Sequence, residues 1–416
     1  MQRNYSWPGR LIPQAAVVVM LLWTAVAWAQ PSEKVLHNFG GPGDGYEPTS
    51  GVVLDSQGNL YGTTYYGGSG CSLGCGVVFQ LTPRADGSWI EGVIHEFDQV
   101  DGGQPNGIVL NREGALFGST QSWGTGGFGT VYELTPGSNG VWNESVLHTF
   151  EGLWDGGTPG GVAFDGAGHL YGTTGYLNVT HDGNVFSLNP VSAIDWFELV
   201  LHVFKGGSDN YTPSGKLAFD ADGNIYGTSF YGGPNDTGCV FKLSRNTGGQ
   251  GWTETILYVF KGAAFQAGQD GVNPYAGVVI DAAGNLYGTT EWGGSAGAGT
   301  VFELTPKPDG TWFEQVIYAF QGGLDGGNPR AGLVMDSAGN LYGTTTGGKE
   351  TRGTVFELIP TGPRWKETVL HEFQGGLDGD TPQGDLVLDG KGNLYGTTVH
   401  GGTYGEMGGV VFEITP

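Results

Sequence analysis

The heptapeptide GNLYGTT occupies residues 58–64 and recurs unchanged at 284–290, 339–345 and 392–398, with near-copies at 114–120, 168–174 and 223–229. Its aromatic position falls at Tyr61, Phe117, Tyr171, Tyr226, Tyr287, Tyr342 and Tyr395, at intervals of 53 to 61 residues. Self-similarity at a fixed period restricts the fold more than any other property of a chain. Three further motifs keep the same beat. A VFELTP-like segment begins at Val78 and ends the sequence at Pro416, a VLHxF-like segment ends at Phe39, Phe97, Phe150, Phe204, Phe260, Phe320 and Phe373, and a DGxxP element carries Pro48, Pro105, Pro159, Pro213, Pro274, Pro329 and Pro382.

Each unit therefore holds four short β-branched or aromatic segments separated by Asp, Gly and Pro, which is the pattern of strands and turns. Four strands per unit, seven times over, predicts an all-β, seven-bladed β-propeller of four-stranded antiparallel blades. A β-solenoid would repeat more briefly. Stacked blades also allow a chain this long to fold as one domain, since each blade buries its faces against two neighbours only. The 81 glycines fit this plan, for they follow no Gly-X-Y period and mark turns. The first VLHxF segment has no blade before it and the last blade lacks one after it. The ring should close by pairing Val35–Phe39 with Val411–Thr415, which removes two exposed edges.

The combination GNLYGTT…GTVFELTP…VLHxF…DGxxP over roughly residues 35–416 resembles the GloVer tandem repeat of exported bacterial proteins described as "choice-of-anchor". More distantly, PxxGLxxDxxGNLY is similar to the blade start of NHL-type propellers and of gluconolactonase-like calcium enzymes. The resemblance implies export and a propeller-like repeat; it implies no catalytic residue. Independently, Arg3 and Arg10, the apolar run Ala15–Ala29 and the closing Ala27-Trp28-Ala29 read as a secretory signal peptide over residues 1–29, leaving 30–416 as a single propeller domain, secreted or periplasmic.

The chain carries 17 Lys+Arg against 41 Asp+Glu, a formal charge of −24 that becomes −26 without Arg3 and Arg10. Such acidity argues against nucleic acid and anionic membrane surfaces as partners. Of three cysteines, Cys71 and Cys75 should form a local disulfide in an oxidising compartment, with Cys239 apart on a strand. No phosphate loop, HExxH, CxxC or nucleophile elbow is present, so no cofactor is expected, though calcium is conceivable at the aspartates of the DGxxP loops (Asp44, Asp101, Asp155, Asp209, Asp270, Asp325, Asp378). Those aspartates read more simply as turn residues, and His37, His95, His148, His202 and His371 of the VLHxF segments, replaced by Tyr258 and Tyr318, read as packing.

Naming the four strands of a blade a to d from the ring's axis outward, the d–a and b–c connections emerge on one face and the a–b turns on the other. Residues that break the repeat are freer to meet a ligand than those that keep it. Inner strand a begins with Gly51, Gly107, Gly161, Gly277 and Gly332, but with Lys216 and Asp385 in the fourth and seventh blades. Phe265, Trp292, Trp154 and Trp123 are aromatic departures in the d–a and b–c loops, and His181 and His400 are histidines outside the pattern. These eight residues are the candidate ligand site, on the d–a/b–c face. Aromatics beside acids suit an acidic site for a glycan or another neutral or cationic ligand. Two functions remain open: a monomeric, non-catalytic binding module, or a calcium-dependent hydrolase, lactonase or lyase at the channel mouth.

Overall fold

The computed structural model describes Met1 and residues 31–41, 43–176, 182–191, 195–207, 210–249, 251–262 and 270–416. The chain divides into residues 1–30 and the unit Pro31–Pro416. The expected signal peptide lies outside the described residues, as do Phe265, His181 and Asp209.

Among the described residues seven antiparallel sheets follow one another, and each is a blade. In blade 1, strand a is Val53–Leu54, b Leu60–Thr64, c Val77–Pro83 and d Trp89–Glu96. Blades 2 to 6 repeat the order, their outer strands being Trp142–Thr149, Trp196–Val203, Trp252–Val259, Trp312–Ala319 and Trp365–Glu372. Blade 7 has strands Val387–Leu388, Leu394–Thr398 and Val410–Thr415, and borrows Ser32–Asn38 as its strand d. The register runs from Ser32 opposite Thr415 to Asn38 opposite Val410, so the ring closes as the motif order predicts.

The aspartate ending strand a closes the a–b turn: one Asp55 oxygen accepts the N–H of Gln57 and Asn59, and the other accepts Asn59 Nδ2 and the Tyr61 hydroxyl. Tyr61 is buried, and Trp142 of the next blade meets its ring edge-on. Gly62 must be glycine, because a Cβ there would stand 2.4 Å from the ring of Phe79. The paired threonines fit the pleat and are buried; in blade 5, Thr290 and Thr300 share a hydrogen bond of 2.8 Å between strands b and c.

The VLHxF motif hides a β-bulge. In every blade the c–d register shifts at its Leu or Ile, as where Val78 faces His95 but Phe79 faces Val93. One unpaired residue breaks the alternation of faces. The bulged Leu147, Ile317 and Leu370 turn inward, and the closing Phe is at most 1% exposed in all seven copies. Seven hydrophobic clusters each mix residues from two adjacent blades, and the seventh joins Phe39, Tyr395 and Val411 to Val52, Leu60 and Phe79 across the closure.

The DGxxP element stitches blades through the backbone. The residue before each proline (Glu47, Gln104, Thr158, Thr212, Asn273, Asn328, Thr381) has φ between 50° and 59°. Proline and a β-branched side chain both disfavour that conformation, so strain is stored here. In return each of these N–H groups donates to the preceding blade, as Asn328 does to the Ala298 carbonyl at 2.7 Å.

Cys71 and Cys75 form a disulfide in the first b–c loop, with their Cα atoms 5.3 Å apart, while Cys239 is buried in strand c of blade 4. One thiol should therefore titrate in the unfolded, unreduced protein, and three after reduction. Because the closed loop is short, Cys71→Ser with Cys75→Ser should cost about 2 kcal/mol at most. Three thiols before reduction would contradict the pairing.

Candidate functional site

A cavity of about 510 Å³ opens at the axis among the d–a and b–c residues. None of the a–b turn residues lines it. Two positions of the repeat supply its wall. The residue after each DGxxP proline contributes Asn106, Gly160, Ser214, Tyr275, Arg330 and Gln383, with Thr49 from blade 1. The residue after the heptapeptide contributes Gln121, Gly175 and Phe230. Both positions adjoin invariant scaffold yet differ from blade to blade, so a ring of near-identical units encloses an asymmetric space.

Deeper in, strand a brings Lys216 and Asp385 together. They sit three blades apart in the ring, and Lys216 Nζ lies 3.2 Å from Asp385 Oδ2. Asp385 Oδ1 accepts the N–H of Gly332 at 2.8 Å. Burial pushes the Asp385 carboxyl up, but the Lys216 charge and the Gly332 N–H outweigh it, and its pKa is lowered overall. The lumen is tight at this level: a Cβ on Gly277 would stand 1.9 Å from the Lys216 carbonyl oxygen, and one on Gly51 2.0 Å from that of Asp385. Glycine follows each charged residue around the ring for that reason.

One side of the wall is aromatic and cationic. Phe230 and Tyr275 meet edge-on at 5.8 Å, and the Arg330 guanidinium lies 5.7 Å from the Tyr275 ring. Glu291, whose side chain is only 5% exposed, accepts Arg330 Nη2 at 2.7 Å and Nε at 3.1 Å on one oxygen. The lining is thus not acidic, contrary to expectation: it carries Lys216 and Arg330 against Asp385.

Of the candidates from the sequence, Lys216 and Asp385 line this cavity; Trp123, Trp154, Trp292 and His400 do not. Trp123 packs into the junction of blades 1 and 2 beside Cys75, Trp292 is half-buried in a short pairing with Val272, and Trp154 is 88% exposed. His400 pairs through its backbone with Asp380. Arg330, Tyr275, Phe230 and Glu291 went unnoticed, although variation immediately beside the fixed motifs marked their positions.

The VLHxF histidines do find acidic partners. His37, His95 and His371 lie 3.0, 3.0 and 2.9 Å from Asp44, Asp101 and Asp378. A glutamate four residues before each histidine, on the next blade's strand d, joins the pair. Glu33, His371 and Asp378, and likewise His37, Asp44 and Glu91, bring potential metal-ligand atoms within 4.8 Å of one another. Where tyrosine replaces histidine the cluster persists as hydrogen bonds, with the Tyr258 hydroxyl 2.9 Å from Asp270 and 3.3 Å from Glu314. A latch between blades accounts for both versions without an ion.

These carboxylates are crowded. Burial, reinforced by the neighbouring aspartate, pushes Glu144, Glu198, Glu314 and Glu367 up to about 7. One oxygen of each is buried without a hydrogen-bond partner.

Among solved structures, candidate 6-phosphogluconolactonases from Bacteroides fragilis NCTC 9343 and Bacteroides uniformis ATCC 8492 are similar in fold. Their TM-scores are both 0.52, at 14% and 13% identity, covering 78% and 83% of this chain and 83% and 89% of theirs. At that identity the likeness shows the propeller alone. No curated protein matches the sequence. The Gloeobacter/Verrucomicrobia repeat matches residues 24–160, 69–267 and 255–416, and with that coverage the chain belongs to this repeat family.

Proposed function

We propose that this propeller is a non-catalytic binding module acting outside the cytoplasm, whose ligand is a glycan held in the axial cavity. The observation that carries this reading is the placement of repeat-to-repeat variation: positions that keep the motif build blades, while the variable residue after the DGxxP proline lines the cavity in all seven repeats and the one after the heptapeptide in three. Rigid repeat scaffolds carry specificity in this way. The wall combines an aromatic pair with amides from Asn106, Gln121 and Gln383 and hydroxyls from Thr49, Ser50, Thr158 and Thr212, groups suited to a polyhydroxylated ring. Export is supported by the basic and apolar start of the sequence and by the Cys71–Cys75 disulfide.

A calcium-dependent lactonase or hydrolase would need several convergent oxygens at the axis. Asp385 is the only carboxylate among the described lining residues, and Lys216 already engages it. That donor set suits calcium poorly and favours binding over metal-assisted catalysis. The test is a glycan array with the purified mature protein, followed by calorimetry on the best ligand. Tyr275→Ala should weaken binding about tenfold or more, whereas Gln57→Ala in an a–b turn should leave it unchanged. Loss through Gln57→Ala with Tyr275→Ala unaffected would move the site to the other face.

A further inference from the structure

We infer that the cavity reads a carboxylate on its ligand, a uronate unit of a glycan, through Arg330. This rests on the glycan reading above and departs from the neutral or cationic ligand that composition suggests. Charge at the wall runs against charge overall: two basic side chains and one acidic line the cavity, in a chain of net charge −24. With Glu291 behind Arg330 and Asp385 beside Lys216 the cavity is balanced in charge rather than acidic, so an anion meets less repulsion there than over the rest of the surface.

The two cations are not equivalent. Lys216 is engaged by Asp385, which shares the lumen with it. Arg330 is engaged from behind. The buried Glu291 takes Nε and Nη2 on a single oxygen, so Nη1 has no acceptor among the described residues, while the side chain remains 39% exposed at the wall. Glu291 and the Tyr275 ring fix the plane of the guanidinium. A fork whose rotamer is already set loses little entropy on binding, and its planar donors match a carboxylate better than a hydroxyl.

The repeat motif does not fix an arginine here. The same position holds Thr49, Asn106, Gly160, Ser214, Tyr275 and Gln383 in the other six repeats. Tyr275, its neighbour in the ring, offers an aromatic face of which nearly half the residue is exposed. A hexuronate carries both recognition elements at once, an apolar ring face for Tyr275 and a carboxylate for Arg330. One open cationic fork suits a monoanion; a phosphate dianion would call for more.

The experiment pairs each neutral oligosaccharide with its uronate counterpart, oligogalactosides beside oligogalacturonates and oligoglucosides beside oligoglucuronates, with sugar phosphates as a third arm. Calorimetry on the tightest pair should show the uronate bound at least tenfold more tightly. Arg330→Met should bring the ratio of the two affinities to about one, whatever it does to binding of the pair as a whole, and Arg330→Lys should restore part of the preference. Melting curves establish that both variants are folded. Equal affinity for the members of a pair, or preference surviving in Arg330→Met, would overturn the inference and leave the glycan reading standing. Preference for the sugar phosphates would overturn the carboxylate assignment. Binding of no glycan of any kind would remove both.

Discussion

Deleting Ser32–Phe39 should abolish the cooperative unfolding transition. The segment supplies the whole outer strand of blade 7, including the register from Ser32 to Asn38 and the fully buried Phe39. Without it Val410–Thr415 becomes an open edge, Asp44 loses His37, and the cluster joining blades 7 and 1 loses its central ring. A nearest-neighbour stack tolerates a missing end, but a ring has no end to lose. Phe39→Ala separates closure from ordinary packing. It should cost about 3–5 kcal/mol, as Phe204→Ala should in the interior of the ring. A deletion variant that melts as sharply as the full chain would show that the seventh junction adds nothing.

Stability should fall as pH rises from about 4.5 through about 7. Glu144, Glu198, Glu314 and Glu367 have folded-state pKa values near 7 against an ordinary value of 4.5. Within that window the folded chain holds protons that the unfolded chain has released. Their contribution is therefore complete below 4.5 and lost as pH climbs through 7. His148, pushed down by burial, works the other way just below its ordinary 6.5, but it is one group against these four and against Glu33, Glu91 and Glu133, which burial also raises. Asp165, Asp220, Asp385 and Asp389, all lowered, act below 3.8 and outside the window. The melting temperature should drop by roughly 5 °C or more across it. Net negative charge would push the same way, so the discriminating variant replaces all four glutamates by Gln. Its profile should be markedly shallower than that of the wild type between pH 4.5 and 7, with Glu33, Glu91 and Glu133, also raised by burial, keeping part of the slope; a slope equal to that of the wild type would assign the effect to general repulsion.

The blade was legible because its determinants are local. The aspartate and the heptapeptide close one turn within seven residues, and alternation in VFELTP places Phe and Leu on one face. The missing strand at the sequence's end, matched by the spare one at its start, showed the closure. What stayed hidden lies between blades. The glutamate four before each VLHxF histidine also recurs seven times, yet its partner is the preceding blade's histidine or tyrosine, a contact that only the ring creates. The bulge at the motif's Leu or Ile breaks the alternation on which a strand is read. In the site, Lys216 and Asp385 stood out because charge replaced glycine. Arg330 and Tyr275 did not, because their position carries no fixed residue against which to measure a departure. Trp123 and Trp292 stand out in the sequence as large aromatics in loops; in the fold Trp123 packs at a blade junction and Trp292 pairs with Val272 of the d–a connection.

The pairing of Ser32 with Thr415 also decides how the ring can be held. Strand c runs away from the cavity face and strand d returns toward it, so the start of one and the end of the other lie together on the a–b side. Anything joined to the protein through either end would moor it by its underside. The axial cavity would then face outward, and a tether, a surface or a fused domain could be added there without covering the opening.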